Sequence, residues 1–165
     1  MISELTALHG VSGDIGSVRD YIVNKLNCPY EIDSKGNIIC HKKGRGKRVM
    51  VCAHMDEVGF IVTGVTDSGD LKFASVGGID PRVMISKPVR FKNGIAGVIG
   101  YKAIHLQSKT ERAAEPGEDE LYIDIGAKNR DDALGKIRIG DTACFVGDYV
   151  DMGENRFAAK AIDDR

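Results

Sequence analysis

The sequence has no tryptophan and few other aromatic residues or prolines, with five tyrosines, five phenylalanines and four prolines. It also has no excess of charge of one sign, since 23 basic residues face 24 acidic ones and the net charge is −1. This balance argues against nucleic acid or an anionic membrane as a partner. No apolar run approaches the roughly 20 residues that span a bilayer, and residues 1–25 lack the pattern of a secretory leader. We therefore expect a cytoplasmic protein that does not associate with membranes.

The four cysteines form no CxxC pair and follow no spacing typical of secreted disulfide scaffolds. Most of them stand in apolar stretches that resemble strands. We expect buried thiols in a reducing compartment. The apolar fraction of 42% and the charged fraction of 28% are ordinary for a globular protein with a hydrophobic core.

The amino-terminal residues have the spacing of two short helices. Apolar residues recur at helical intervals over residues 2–8 and again over residues 16–26. Ser12 or Asp14 is the candidate N-cap of the second helix.

A hairpin and a buried strand are predicted next. Residues 30–33 and 37–41 are strand-like and are joined by a Ser-Lys-Gly turn. Residues 49–53 are continuously apolar, which is typical of a strand covered on both faces by helices.

The middle of the chain has an all-β pattern, because short strand-like runs alternate with turn residues. One helix is expected at residues 131–134, and the polar residues 107–120 are expected to form a mobile loop. The predicted strands cover residues 60–65, 71–74, 88–91, 96–101, 121–125 and 142–145.

A histidine and an aspartate stand two residues apart at the carboxyl end of the predicted buried strand, as His54 and Asp56. In a regular strand their side chains face the same side. A metal-binding imidazole usually donates its other ring N–H to a carboxylate, so Asp56 is suited to orient His54 towards zinc or cobalt. Alone, this spacing favours a plainer interpretation, a structural hydrogen bond at the end of the strand.

Two neighbouring carboxylates, Asp163 and Asp164, follow a run of small residues. A carboxylate can bridge two divalent cations about 3.5–4 Å apart. Alone, the pair fits better with an ordinary solvated acidic segment.

A series of segments in a fixed order carries a family resemblance: SELTALHGVSGDIGSVRDYI, DSKGNIIC, VMVCAHMDEVGFIV, SVGGIDPRV, GVIGYKAIHL, YIDIGA, IRIGD and KAIDDR. They resemble the glutamyl aminopeptidase and tetrahedral aminopeptidase family of dinuclear metallopeptidases. The resemblance covers essentially the whole chain, and several of the segments are long.

The resemblance implies an α/β fold, part of a doubly wound metallopeptidase domain with an inserted all-β barrel domain. Residues 1–59 would form the amino-terminal part of the catalytic domain, residues 60–150 the barrel, and residues 151–165 a return to the catalytic domain. The strand-rich middle of the chain agrees with this division.

The same resemblance implies the roles of the site residues. His54 and Asp163 would be metal ligands, with Asp163 bridging two divalent metal ions, zinc or cobalt, and Asp56 would serve catalysis by orienting His54. The peptide bond between Asp163 and Asp164 is expected to be cis. Glu57 is not expected to act as a general base, because neighbours along a strand point to opposite faces.

Members of the family are much longer, and the rest of their length carries a glutamate pair, a further acidic ligand and a last histidine. The sequence therefore predicts a metal-dependent aminopeptidase that releases amino-terminal residues from peptides, here as a truncated or split chain that is inactive alone. Its expected partners are peptide substrates, further copies of itself and the missing carboxy-terminal half. The alternative is a non-catalytic oligomerisation or binding module derived from such an enzyme.

Overall fold

The structure is a computed structural model that describes residues 1–163. Within these residues none of the helices is long and apolar enough to cross a membrane. The α-helices are short, and they are α1 (Ile2–Ala7), α2 (Gly16–Lys25), α3 (Pro81–Met84), α4 (Lys109–Ala113) and α5 (Arg130–Leu134).

The strands form two separate hairpins and one closed barrel. The hairpins are β1–β2 and β9–β10, and the barrel has the order β3-β4-β7-β6-β5-β8 with antiparallel pairing throughout. The strands are β1 (Tyr30–Ile32), β2 (Ile38–Cys40), β3 (Gly59–Val65), β4 (Leu71–Val76), β5 (Pro88–Phe91), β6 (Ala96–Gly100), β7 (Tyr122–Asp124), β8 (Thr142–Phe145), β9 (Val150–Gly153) and β10 (Arg156–Ala158).

The barrel closes around a core supplied by alternate residues of its strands. In β5, Val89 and Phe91 are buried while Pro88 and Arg90 are exposed, as expected when one face of a strand lines a closed sheet. The Phe60 ring packs edge-to-face on Phe73 and Phe145, with ring centroids 5.1 and 5.0 Å away. The largest side chains with almost no exposure belong to this core or border it: Phe60, Leu71, Met84, Ile99, Ile123 and Ile137.

The structure confirms a mixed α/β chain with a closed barrel. The two amino-terminal helices, the first hairpin and the six predicted strands of the middle region are present within a residue or two of the predicted bounds. The helix predicted at residues 131–134 is α5, which begins after Asn129, whose side chain caps the Asp132 N–H. The doubly wound domain and the division of the chain into domains stay predictions.

The buried strand predicted at residues 49–53 is wrong. This segment has no regular secondary structure, and the side chains of Val49, Met50 and Val51 are 85%, 86% and 91% exposed. An apolar run becomes a buried strand only where other strands and helices cover it. Within residues 1–163, no strand is hydrogen-bonded to this segment.

The loop predicted at residues 107–120 contains local structure. Helix α4 begins after Ser108, whose hydroxyl accepts the Glu111 N–H, while the Glu111 carboxylate accepts the Ser108 N–H. This reciprocal capping satisfies donors at the start of the helix. A 3-10 turn follows at Glu118–Glu120, and the Glu118 carboxylate accepts the Ser75 N–H at 3.0 Å.

The expectation of four buried thiols is also wrong. Cys28 and Cys40 form a disulfide, Cys52 is exposed, and Cys144 is buried. The hairpin register pairs Tyr30 with Cys40, which places Cys28 close by. The Cα atoms of the two cysteines lie 6.4 Å apart, within the range of about 4.4–6.8 Å that a disulfide spans.

Candidate metal-binding site

The turn before α2 pairs with the segment that carries His54 and Asp56. The Glu57 N–H donates to the Gly10 carbonyl at 2.8 Å, and the Ser12 N–H donates to the Glu57 carbonyl at 3.3 Å. Val11 and Glu57 therefore form a parallel bridge. This pairing anchors the segment at Glu57, immediately after the two candidate site residues.

His54, Asp56 and Ser12 form a chain of polar contacts. Nδ1 of His54 lies 2.9 Å from Oδ1 of Asp56, and the Ser12 hydroxyl donates a short hydrogen bond to Oδ2 of Asp56. The side chains of His54 and Asp56 are 46% and 38% exposed. A carboxylate on Nδ1 favours the tautomer whose Nε2 carries a lone pair, so metal coordination would fall to Nε2.

Asp56 is held in its charged form. The hydrogen bond from Ser12, with a smaller contribution from His54, keeps the pKa of the Asp56 carboxyl below its ordinary value, although partial burial opposes the shift. An ionised carboxylate is the acceptor that an imidazole N–H needs. The contact predicted between Asp56 and His54 is therefore present, whereas their roles towards a metal stay predictions.

Neither of the candidate N-caps of α2 caps it. The N-cap residue is Ile15, which makes no side-chain capping bond. Ser12 binds Asp56 instead, and Asp14 accepts hydrogen bonds from Lys92 and Thr142 of the barrel. Both side chains thus join the amino-terminal turn to other parts of the chain.

Asp14 belongs to a polar cluster between this turn and the barrel. Burial opposes its ionisation, but the hydrogen bonds from Lys92 and Thr142 outweigh burial and lower the pKa of Asp14. Nε2 of His9 lies 2.8 Å from the Thr142 hydroxyl, and burial lowers the pKa of His9. Through these contacts His9 and Asp14 join the amino-terminal turn to barrel strand β8.

Glu57 forms a buried ion pair with Lys160. The Lys160 ammonium lies 2.6 Å from Oε1 of Glu57, and the two side chains are 9% and 7% exposed. Glu57 thus turns into the protein, away from solvent-accessible Asp56, as the alternation along an extended segment predicts. Sequence reasoning missed Lys160, whose only local signal is its place just before Ala-Ile-Asp-Asp.

Asp163 is exposed and lies in the turn formed by residues 160–163. Within residues 1–163, no three His, Cys, Asp or Glu side chains are grouped to hold a metal ion. The peptide bond to Asp164, expected to be cis, lies outside the described residues. The donor set nevertheless has the right chemistry, since an oriented imidazole and an exposed carboxylate both suit divalent zinc or cobalt.

Residues 36–165 match the model of the M42 glutamyl aminopeptidase family, and the chain therefore belongs to that family. This finding confirms the family resemblance.

A relative from Acetivibrio thermocellus is 42% identical over 168 residues, covering all of this chain and 49% of the relative. The lysyl aminopeptidase of Pyrococcus furiosus is 34% identical over 166 residues, covering 94% of this chain and 48% of that enzyme. The chain spans about half the length of these relatives.

Solved structures agree with the sequence matches. The TET1 peptidase of Pyrococcus horikoshii, described as able to assemble into a tetrahedron or a large octahedral shell, superposes with a TM-score of 0.88 at 32% identity. The match covers 99% of this chain and 51% of that one. The fold of residues 1–163 is therefore that of about half of such a peptidase.

Proposed function

We propose that this chain carries the amino-terminal share of the dinuclear metal site of an M42 aminopeptidase, which releases amino-terminal residues from peptides. The observation that carries the proposal is the contact chain Ser12–Asp56–His54 in a chain that belongs to this family. His54 would be a ligand of one metal ion, Asp163 would bridge two, and Asp56 would orient His54.

The chain's own residues would act by holding atoms in place. Asp56 accepts the Nδ1 proton of His54 and keeps the ring from rotating, while Ser12 fixes the second oxygen of Asp56. When bound, two divalent cations, zinc or cobalt, would supply Lewis-acid chemistry that polarises the scissile carbonyl and activates water.

The same proposal includes the larger fold. The barrel strands begin at Gly59 and end at Phe145, which supports residues 60–150 as a barrel domain inserted between residues 1–59 and 151–165 of a doubly wound domain. The exposed apolar segment at residues 49–53 supports a further step. The apolar side chains of this segment would be covered by the rest of that domain.

Little or no activity is expected from the 165 residues alone. A zinc site in a protein is usually completed by about three or four protein ligands, and His54 and Asp163 supply too few for two ions. Turnover of an aminoacyl-nitroanilide by the rigorously purified chain, abolished by a chelator, would contradict this part of the proposal.

Zinc and cobalt titration by calorimetry tests the site itself. The matched variants are His54→Ala and His41→Ala, since His41 is also an exposed histidine but faces Glu31 on the β1–β2 hairpin. Binding that disappears in His54→Ala and persists in His41→Ala supports the proposal. Equal binding in all three proteins, or none in the unmodified chain, counts against a site on this chain.

A second candidate function is a non-catalytic oligomerisation module. The barrel favours it, because its six strands close within the chain and enclose a core of their own, while the metal-binding groups are incomplete. The described assembly of the Pyrococcus horikoshii peptidase is in keeping with self-association. Light scattering of the unmodified chain and of His54→Ala distinguishes the two candidate functions. An oligomerisation module would form discrete oligomers in both proteins.

A further inference from the structure

Lys160 joins three distant parts of the chain. Its ammonium group donates to the Leu8 carbonyl at 2.7 Å, to Oε1 of Glu57 at 2.6 Å and to Sγ of Cys144 at 3.5 Å. A lysine ammonium has three N–H donors, so each of them has an acceptor. Lys160 thereby ties the turn that carries Asp163 to α1, to the His54 segment and to barrel strand β8.

Both partners of the ion pair are fixed by their own surroundings. Oε1 of Glu57 also accepts the Gly10 N–H at 3.2 Å, and the main chain of Glu57 is hydrogen-bonded to Gly10 and Ser12. On the other side, the Lys160 N–H donates to the Gly147 carbonyl at 3.4 Å. These two segments of the chain approach so closely that a Cβ on Gly147 would lie 2.9 Å from Cβ of Lys160.

The pair stands between the segments that carry the proposed metal ligands. Asp56 directly precedes Glu57, and His54 is three residues before it, while Asp163 is three residues after Lys160. Three residues of chain reach at most about 11 Å, so each ligand position lies close to the pair. Ala161, between Lys160 and Asp163, has a φ of 57°, a conformation that costs a non-glycine residue free energy and persists only where surrounding contacts hold it.

A role in stability alone explains this pair poorly. Taking two charges out of water is costly, and a buried ion pair is often no more stabilising than apolar residues of similar volume. A buried ion pair can instead favour one arrangement of the chain, because any arrangement that separates the two groups leaves a buried charge without a partner. The pair lies between two segments that carry proposed metal ligands, so the arrangement that it favours also fixes how these segments lie relative to each other.

We propose that Glu57 and Lys160 are positioning residues whose buried ion pair holds the turn carrying Asp163 beside the segment carrying His54 and Asp56. This inference rests on the proposed function, because it assigns the pair to assembly of the same metal site. Neither residue is one of the proposed metal ligands. Their effect passes through the backbone to the ligands.

The test uses Glu57→Gln, Lys160→Met and the double variant of the full chain. The matched control is Asp132→Asn with Lys136→Met, which removes a partly exposed ion pair with a 3.0 Å contact between α5 and the residues that follow it. Zinc affinity is measured by calorimetry, and the fraction of folded protein is measured by circular dichroism at the same temperature.

The expected result is that either single variant binds zinc about tenfold or more weakly while remaining folded, a loss typical of residues that support metal ligands. The double variant is expected to lose about as much zinc affinity as one single variant, and less than the sum of the two losses, because the two side chains act as one unit. The control variant should bind zinc as the unmodified chain does. Unchanged affinity in folded Glu57→Gln and Lys160→Met overturns the inference.

A second readout does not depend on metal. Nitroxide labels are placed at Val58→Cys and Ile162→Cys in a Cys52→Ser background, and electron paramagnetic resonance measures the distance between them. One narrow distance that broadens in Glu57→Gln supports the inference, and an unchanged distribution overturns it. If the unmodified chain shows no His54-dependent zinc binding, the proposed function fails by itself, and the label distances alone decide the role of the pair.

Discussion

Gly59 is the position where an added methyl group should do most damage to the joint between the barrel and the site. It begins β3, and its Cα faces both β8 and the amino-terminal turn. A Cβ built there would lie 2.6 Å from the Ala143 carbonyl oxygen and 2.6 Å from Cγ2 of Val11. The carbonyl belongs to the backbone of a paired strand, so it cannot move without disturbing the ladder.

Gly59→Ala is therefore expected to reduce the free energy of unfolding by about 1–3 kcal/mol, the usual cost of forcing extra volume into a packed region. Gly64→Ala is the matched control in the same strand, since a Cβ there would meet Cβ of Lys72 at an ordinary 3.8 Å. Its expected effect is about 0.5 kcal/mol or less in either direction.

Urea unfolding followed by circular dichroism measures both variants. With a slope of about 2 kcal/mol per molar urea, a loss of about 2 kcal/mol lowers the midpoint by about 1 M. Because the clash also displaces Val11, which pairs with Glu57, Gly59→Ala should weaken zinc binding too. Equal urea midpoints for the two variants would refute the reasoning from close approach.

Two further predictions concern Ser12 and the cysteines. Ser12→Ala should raise the pKa of Asp56 towards its ordinary value, and Ser12→Thr should not, as followed by carbon-13 NMR of the carboxyl group. Because the folded-state pKa of Asp56 is depressed, its contribution to stability is present above the unfolded-state pKa and is lost as the pH falls through the folded-state pKa. The difference in the free energy of unfolding between Ser12→Ala and the unmodified chain should therefore become smaller on acidification. A difference that does not change with pH would argue against the hydrogen bond. Thiol titration of unfolded, unreduced protein should detect Cys52 and Cys144 alone, whereas four reactive thiols would show that Cys28 and Cys40 are reduced.

The barrel could be predicted from the sequence because its signals are local. Short runs such as β5 and β6 alternate buried and exposed residues between turn residues, and each strand pairs with other strands of the chain. The order of the strands could not be predicted, since the pairing of β3 with β8 joins residues some eighty positions apart and no local pattern encodes it.

The candidate site could be predicted only in part, because some of its contacts are local in the sequence and others join distant residues. His54 and Asp56 are two residues apart, so their side chains can meet locally, and they do so although the segment that carries them is not a strand. Ser12 has the residue type of a helix N-cap, but its partner Asp56 is 44 residues away. The acceptor of its hydroxyl group is therefore evident only from the folded structure. Apart from its place just before Ala-Ile-Asp-Asp, Lys160 has no local signal, because burial of a lysine depends on the acceptors that distant segments bring to it.

The wrong prediction at residues 49–53 links the fold to the proposed function. Fully burying a valine or methionine side chain is worth about 1.5–3 kcal/mol, so exposed Val49, Met50 and Val51 together leave about 4.5–9 kcal/mol of burial free energy unused. His54 stands three residues after Val51 on the same segment. Under the proposed function, covering this segment with strands from the rest of the protein would fix its backbone and bring the remaining ligands to His54 in the same step. The free energy of burying this segment and the geometry that completes the proposed metal site would then come from one docking event.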